Sequence, residues 1–234
     1  MRPGTPVGRR VFLGMAGLGA VGILTGAKVQ SALGRVLQPV TSASGGLSAL
    51  IPGSDTFRIY TVTDGFPSVT DDAYRLKVGG MVNQSLDLTL ADLKAMPRTT
   101  LVRDFQCVTG WRVPNVRWEG VLLSHLLEAA GVAPGASALV FDSFDGVYTE
   151  SLTLSQARRP DVMVAYGFEG GPVSTAHGGP VRLYVAPMYG YKSAKWLGAI
   201  NLVGGVEPGY WEQQGYDVDA WIGASNGRHD APVS

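Results

Sequence analysis

Cysteine is the scarcest reactive residue in this chain: among 234 residues there is one, Cys107. A single thiol cannot form an intramolecular disulfide, nor can it contribute to a metal site made of several cysteines. An isolated cysteine most often serves as a small buried apolar side chain. Three roles therefore stay open for Cys107: one ligand to a metal, a nucleophile, or a core residue.

Histidine is almost as rare, with three residues: His125, His177 and His229. None of them is accompanied in sequence by a carboxylate placed to orient it, which disfavours a hydrolase that uses a cysteine nucleophile and a histidine base. The three show no pairing typical of haem ligation either. We therefore expect no haem carried by this chain itself.

Charge is also sparse, at 16% of residues, and sums formally to zero. Five of the 19 basic residues fall within the first 35 positions, where there is no acidic residue, so the remainder carries 14 basic against 19 acidic residues. A mildly acidic body argues against a groove for nucleic acid. No glycine-rich phosphate fingerprint follows a strand and opens a helix, which disfavours a nucleotide-binding fold.

The early basic residues belong to a segment that resembles a twin-arginine export signal. Arg9-Arg10 is followed by Phe12-Leu13 and by a glycine-rich apolar stretch to about Thr25. That stretch is shorter than the roughly 20 apolar residues that span a bilayer. The sequence thus predicts a signal over 1–27, either cleaved or retained as an anchor, a Ser/Gly/Ala-rich linker over 28–55, and a domain over 56–234 in a periplasmic or other extracytoplasmic location.

The domain itself is predicted to be α+β. Thr89 can cap a short helix from Leu90 to Met96, and apolar residues at helical spacing predict a second helix from Gly120 to Ala130. Alternating or continuous β-branched and apolar residues predict strands, which outnumber the helices and do not alternate regularly with them. The predicted strands cover residues 57–63, 74–80, 99–108, 138–144, 147–154, 162–166, 181–185 and 196–203.

Four short motifs, in this order, resemble the sulfite oxidase family of molybdopterin oxidoreductases. They read QCxxGW at 106–111, WxGVxL at 118–123, HGxPVR at 177–182 and GYKSAKWL at 190–197. Each motif is weak alone, and their order and spacing carry the resemblance, which extends from about Phe57 to about Asp219. It implies a mostly β, α+β fold with short helices around one molybdenum held by a pyranopterin dithiolene, molybdopterin.

The resemblance assigns roles to particular residues. Cys107 would be the thiolate ligand of molybdenum, a role that suits a soft sulfur donor. Tyr216, in Trp211-x-x-x-x-Tyr216, would contact substrate, and Arg112 would attract an oxyanion. The residues matched to the pterin are Cys107, Ser143, His177, Arg182, Ser193, Ala194 and Lys195, with Asp145 as the alternative to Ser143.

One departure from sulfite oxidases bears on the substrate. Those enzymes have a pocket arginine in the segment that here reads Thr61-Val62-Thr63. The family's small bacterial members resemble the catalytic subunit of the periplasmic methionine-sulfoxide reductase. We therefore expect two-electron oxygen-atom transfer that reduces a free or protein-bound sulfoxide, with sulfite oxidation as the alternative and a non-catalytic binding module as the alternative of another class. Electrons would pass through a separate membrane haem protein or cytochrome.

Overall fold

The computed structural model describes residues 57–225. The predicted export signal and linker lie outside the described residues. The predicted strands from residue 74 onward are confirmed to within two residues at either end, and three further strands, over 86–89, 112–122 and 171–172, were not predicted. The elements are β1 (Arg75–Gly80), β2 (Leu86–Thr89), α1 (Leu90–Ala95), β3 (Arg98–Gln106), β4 (Arg112–Leu122), α2 (Leu123–Ala130), β5 (Ala138–Ser143), β6 (Thr149–Thr153), α3 (Leu154–Ala157), β7 (Val162–Phe168), β8 (Gly171–Pro172), β9 (Arg182–Val185) and β10 (Leu197–Val203).

The strands form two five-stranded sheets. The first has the order β2-β1-β10-β5-β6, and its one parallel pair is β1 with β10. The second has the order β3-β4-β7-β8, with β9 also paired to β7, and all of its pairs are antiparallel. Mixed sheets with few, short helices confirm the predicted α+β class.

The predicted helix from Gly120 is wrong at its start, because residues 120–122 belong to β4 and α2 begins at Leu123. Gly120 pairs with Ala165 of β7, and the two backbones approach so closely that a Cβ at Gly120 would lie 2.1 Å from the carbonyl oxygen of Val164. Only glycine permits that approach. The helical periodicity that extended back to residue 120 came from strand residues buried against β7.

The strand β4 escaped sequence analysis because Pro114 and Asn115 interrupt its pattern. Asn115 has a positive φ of 53°, and the pairing of β3 with β4 shifts register between Arg103 and Phe105, opposite this point. The Asp104 carboxylate accepts a hydrogen bond from the Asn115 backbone N–H at 2.9 Å. A bulge of this kind tolerates a proline that a regular ladder would exclude.

The predicted strand over 57–63 is also wrong: in this segment the structure has no strand. Its apolar residues serve a different purpose, since Phe57 packs on the rings of Phe105, Trp111 and Phe168 at centroid distances of 5.1, 6.0 and 5.5 Å. Alternating apolar residues therefore mark a segment that lies along the surface of the domain and covers a cavity, described below.

Two clusters of buried side chains hold the domain together. The larger lies around the first sheet and α2 and includes Leu76, Leu126 and Phe141. The smaller lies around the second sheet, where Trp118 stacks on Tyr184 at 5.0 Å, and Cys107 packs at its edge. Among the described residues, no helix is both long and apolar enough to cross a bilayer.

Candidate active site

A cavity of about 340 Å³ collects most of the residues that the sequence motifs singled out. Its lining comes from five stretches of chain: the segment 57–62, the end of β3 with the β3–β4 connection, the β5–β6 connection, residues 176–196, and the segment after β10. Of the predicted site residues, the cavity brings together Cys107, His177, Arg182, Ser193, Lys195 and Tyr216.

Cys107 sits in the tight connection between β3 and β4. Its backbone N–H donates to the carbonyl of Trp111 at 2.9 Å, and its own carbonyl accepts from Gly110 at 3.0 Å. The Thr109 hydroxyl lies 3.2 Å from the Cys107 sulfur and donates to it. The side chain is partly exposed and lines the cavity, so the reading of Cys107 as a plain core residue does not fit this placement.

Arg182 is a buried cation at the start of β9. Its guanidinium donates to the carbonyl of His177 at 2.6 Å and to that of Ser193 at 2.8 Å, and it lies 5.0 Å from the centre of the Trp118 ring. Burial lowers the pKa of Arg182 to about 10, which still leaves it charged at neutral pH. No carboxylate in the described part of the chain forms an ion pair with it. A buried charge of this kind needs an anion or many hydrogen bonds.

The His177 ring is held in place by a hydrogen bond to Ser174, and one of its faces packs against Phe168. Its Nδ1 atom lies 2.9 Å from the Ser174 hydroxyl, and its ring stacks on Phe168 at 4.5 Å and meets the edge of Phe57 at 5.1 Å. Burial, together with the charges of Arg182 and Lys195, lowers the pKa of His177. With Nδ1 engaged, Nε2 is the ring nitrogen left for a ligand, and the ring is neutral at pH 7.

Lys195 brings a second cation into the same cavity. Its ammonium donates to the carbonyl of Tyr60 and lies 4.3 Å from the centre of the Trp196 ring. Burial, and then the charge of Arg182, lower the pKa of Lys195 to about 8. Gly178, at a φ of 98°, makes this packing possible, because a Cβ there would lie 2.6 Å from the Lys195 side chain.

Asp145, and not Ser143, reaches the cavity from the β5–β6 connection. One Asp145 oxygen accepts from the backbone N–H groups of Val147 and Tyr148 at 2.9 and 2.8 Å. Its other oxygen, Oδ2, is buried with no hydrogen-bond partner among residues 57–225. Ser143 lies outside the lining, where its hydroxyl accepts from the Asp145 N–H at 3.1 Å. An unpaired buried carboxylate oxygen is costly, so a ligand that donates to it is expected.

Three predicted site residues remain: Ser193 and Ala194 lie in or next to the cavity wall, and Arg112 lies at the surface. Ser193 lines the cavity and its hydroxyl accepts from Val185 N–H at 3.0 Å, whereas Ala194 is buried outside the lining and its carbonyl accepts from Leu183. Arg112 does not line the cavity: its side chain is 48% exposed and pairs with Asp104 at 3.4 Å. The structure therefore separates Arg112 from the site, and its predicted role remains untested.

Tyr216 belongs to an aromatic wall that sequence analysis largely missed. Its ring meets Tyr191 at 5.5 Å and Trp211 at 5.3 Å, and Tyr148 lies close by, donating its hydroxyl hydrogen to the carbonyl of Tyr191. All four residues line the cavity. The sequence offered two signals for this wall: Tyr191 lies within the GYKSAKWL motif, and Trp211 precedes Tyr216 by five residues. Aromatic residues in such positions are more often part of a hydrophobic core.

The described residues hold no group of three or more His, Cys, Asp or Glu side chains arranged to bind a metal ion. What the cavity offers instead is one thiol, the three cations Arg58, Arg182 and Lys195, a neutral imidazole and an unpaired carboxylate oxygen, facing one space. That set suits a large anionic organic group with hydrogen-bond donors of its own, which could bring further metal ligands with it.

Residues 63–211 match the family described as the oxidoreductase molybdopterin binding domain, and the chain belongs to that family. This confirms the family that the four motifs indicated, and with it an enzyme of the oxidoreductase class. The fold agrees: the sulfane dehydrogenase SoxCD from Paracoccus pantotrophus shares it with a TM-score of 0.57 and 26% identity, over 61% of this chain and 41% of that one.

Relatives of known sequence support the same family. "Uncharacterized oxidoreductase YuiH" of Bacillus subtilis is 36% identical over 63% of this chain and 75% of its own length. "Putative protein-methionine-sulfoxide reductase subunit YedZ1" of Azospira oryzae is 30% identical over 72% of this chain and 63% of its own. Sulfite oxidase of Arabidopsis thaliana is 29% identical over 62% of this chain, which spans 46% of the plant protein.

Proposed function

We propose that the protein is an exported molybdenum enzyme that transfers an oxygen atom in a two-electron reaction, with a sulfoxide as its substrate. The observation that carries the proposal is the meeting, in one cavity, of the only thiol of the chain with the buried cation Arg182 and the half-buried cation Lys195. The relative named as a methionine-sulfoxide reductase subunit supports the choice of substrate.

Molybdopterin fits the chemistry of this cavity. Its phosphate would supply the anion that Arg182 and Lys195 lack, and its pterin N–H groups would donate to the unpaired Oδ2 of Asp145. The volume of about 340 Å³ lies in the range of small-molecule sites. Cys107 would hold molybdenum as a thiolate, since a metal-bound thiol is deprotonated. Asp145 thereby replaces Ser143 as the proposed pterin contact.

When bound, the cofactor supplies a metal that cycles by two electrons and exchanges oxygen with substrate. The protein contributes the surroundings. The rings of Tyr148, Tyr191, Trp211 and Tyr216 form an apolar wall against which the carbon substituents of a sulfoxide would pack, since sulfur contacts aromatic rings favourably. The Tyr216 hydroxyl would orient the sulfoxide oxygen. His177, neutral at pH 7, offers Nε2 as a hydrogen-bonding group to the bound cofactor.

The overall reaction consumes two electrons and two protons and converts a sulfoxide to a sulfide and water. The electrons would come from a separate redox protein, a membrane haem protein or a cytochrome, on the extracytoplasmic side. The twin-arginine pattern at Arg9-Arg10 supports export in the folded, cofactor-loaded state.

Sulfite oxidation is a second candidate, favoured by one observation. Although residues 61–63 contain no arginine, Arg58 lines the same cavity. An exposed guanidinium at the cavity wall could bind the sulfite anion in place of the missing arginine. Arg58 thus gives the cavity a cation that residues 61–63 do not supply.

Activity measurements with both substrates separate these candidates. Holoprotein purified from the exported fraction is assayed with methionine sulfoxide and a reduced viologen dye, and separately with sulfite and ferricyanide. We expect the parent protein to reduce the sulfoxide. Cys107→Ala should lose this activity, and Arg58→Ala should keep it. Turnover of sulfite alone, abolished by Arg58→Ala, would reverse the assignment, and turnover of neither substrate would overturn it.

A further inference from the structure

A buried group of three ionisable side chains lies behind the cavity without lining it. The Lys192 side chain is wholly inaccessible to solvent, and its ammonium donates to Glu150 and, at 2.6 Å, to Glu212, whose side chains are equally inaccessible. We call Glu150, Lys192 and Glu212 the triad. Its members come from three separate pieces of chain: β6, the 3₁₀ turn Gly190–Lys192 and the 3₁₀ turn Glu212–Gln214.

Each member of the triad lies within two residues of a member of the aromatic wall, which consists of Tyr148, Tyr191, Trp211 and Tyr216. Tyr148 lies two residues before Glu150, Tyr191 directly precedes Lys192, and Trp211 directly precedes Glu212. Two of the three pieces also meet outside the triad, because the Tyr210 backbone N–H donates to the carbonyl of Thr149 at 3.0 Å. The triad therefore joins the three parts of the backbone from which the aromatic wall projects.

The segment that carries Tyr216 depends on such ties more than the others do. Between Gly204 and Ser225 the structure has no strand, only the 3₁₀ turn Glu212–Gln214 and an isolated bridge from Trp221 to Met188. The segments that carry Cys107 and Arg182, by contrast, continue from or belong to regular strands. A segment without a ladder of backbone hydrogen bonds relies on side-chain anchors to keep one conformation.

Stability alone is a poor reason for this arrangement. Burying charged groups costs free energy that their mutual attraction often fails to offset, and apolar residues of similar volume usually do as well. The triad also leaves Glu150 Oε2 and Glu212 Oε2 without hydrogen-bond partners among the described residues. What the two contacts of the Lys192 ammonium do supply is a defined geometry, since an ammonium between two carboxyl groups fixes both.

We propose that the triad is a positioning device, through which Lys192 and Glu212 hold Tyr216 and the rest of the aromatic wall in the geometry that substrate requires. The inference rests on the proposed function, because it gives the Tyr216 hydroxyl a role in orienting substrate. It adds residues that contact neither substrate nor cofactor and act through the wall.

A double-mutant cycle tests the proposal in the cofactor-loaded protein. Lys192→Met removes the ammonium, and Tyr216→Phe removes the hydroxyl; we expect each to lower kcat/KM about tenfold, since small misplacements in an active site have effects of this size or larger. Because one acts through the other, the double variant should lose little more than Tyr216→Phe alone. Lys192→Arg, which keeps the charge, should restore most of the activity.

Molybdenum content should stay unchanged in all of these variants. If Lys192→Met does not fold, Glu212→Gln replaces it in the same cycle, because the amide keeps the shape of the side chain. Glu128→Gln, an exposed change on α2 outside the cavity lining, is the matched control and should behave as the parent protein. Losses that multiply to about a hundredfold in the double variant would contradict a shared route.

A second readout separates this inference from the proposed function. Hydrogen exchange of the backbone over residues 207–217, measured on the protein itself, should speed up in Lys192→Met and in Glu212→Gln but not in Glu128→Gln. If the parent protein reduces no sulfoxide and exchange still speeds up, the proposed function fails and the positioning role stands. Unchanged exchange over this segment overturns the positioning role whatever the activity.

Discussion

The two ends of the cavity are built on opposite electrostatic principles. At one end the cations are the buried Arg182 and the half-buried Lys195, whose hydrogen-bond partners are backbone carbonyls; among the described residues neither forms an ion pair with a carboxylate. At the other end the aromatic wall is backed by the triad, whose ammonium already has two carboxyl neighbours. The comparison indicates that the first end is completed by an anionic ligand, whereas the second is complete in the protein alone.

The largest effect is expected at the cationic end. Arg182→Met should abolish retention of molybdenum and pterin, because it removes the buried cation proposed to face the phosphate. It should also lower the free energy of unfolding by about 2 kcal/mol, since the carbonyls of His177 and Ser193 lose their donors. Metal analysis and urea unfolding measure the two effects. Arg98→Met, at an exposed position, is the control, and full cofactor retention in Arg182→Met would contradict the assignment.

The pH dependence of anion binding sharpens the comparison further. Lys195 has a pKa of about 8, lowered from its ordinary value by burial, so it loses its charge as pH rises through 8. If an anion binds only the charged form, affinity for sulfate in cofactor-free protein should fall by up to about tenfold per pH unit above this value. Calorimetry from pH 7 to 9, below the pKa of about 10 of Arg182, measures it. Lys195→Arg should remove the dependence, and a flat profile in the parent protein would argue that Lys195 does not contact the anion.

A smaller effect is expected at the triad end, on stability. Burial, and then the Glu212 carboxylate, raise the pKa of Glu150 well above its ordinary value despite Lys192; the tyrosines facing it, Tyr148 and Tyr191, stay protonated because burial raises their pKa values as well. A raised folded-state pKa makes the folded protein bind the extra proton. Stability should therefore decline as pH rises above the unfolded value, by at most about 1.4 kcal/mol per pH unit.

Glu150→Gln carries a neutral amide of similar shape and tests this dependence directly. Its free energy of unfolding between pH 5 and pH 8 should vary less steeply with pH than that of the parent protein. Parallel curves for the two proteins would mean that Glu150 is ionised in the folded state, and the triad would then carry a net negative charge.

The smallest effect is expected for Arg112→Ala, which lies outside both ends of the cavity. Its guanidinium is half exposed and paired with Asp104, and such surface pairs contribute about 1 kcal/mol or less. We expect less than about a twofold change in kcat/KM for the sulfoxide on that basis. A loss of tenfold or more would return Arg112 to the role that the sequence resemblance gave it.

The same division explains what the sequence could predict. The cationic end lies largely within two contiguous motifs, so the family resemblance of those motifs identified His177, Arg182, Ser193 and Lys195, and the cavity brings them together. The triad comes from three distant stretches, and Glu150, in the largely polar strand β6, has the pattern of an exposed residue although the middle of that strand is buried. Pairing of this kind is decided by tertiary structure and leaves no local pattern.

Two errors of the secondary-structure prediction arose from apolar patterns. Residues 57–63 have a strand-like pattern because their apolar side chains cover the cavity and pack on Phe105 and Trp111, not because they join a sheet. The helical pattern near Gly120 reflected strand residues buried against β7. Near Gly120 periodicity reported burial correctly, while the partner strand β7 determined the backbone conformation. In residues 57–63 it did not, because Ile59 and Tyr60 are exposed.

The central claim is that Cys107 and the cationic end together hold a molybdenum cofactor, and metal analysis tests it most directly. Protein purified from the exported fraction of a host that makes molybdopterin should contain about one molybdenum and one pterin per chain, with the metal lost in Cys107→Ser while circular dichroism stays unchanged. Parent protein without molybdenum and pterin, or a Cys107→Ser variant that retains its full molybdenum, would contradict the account.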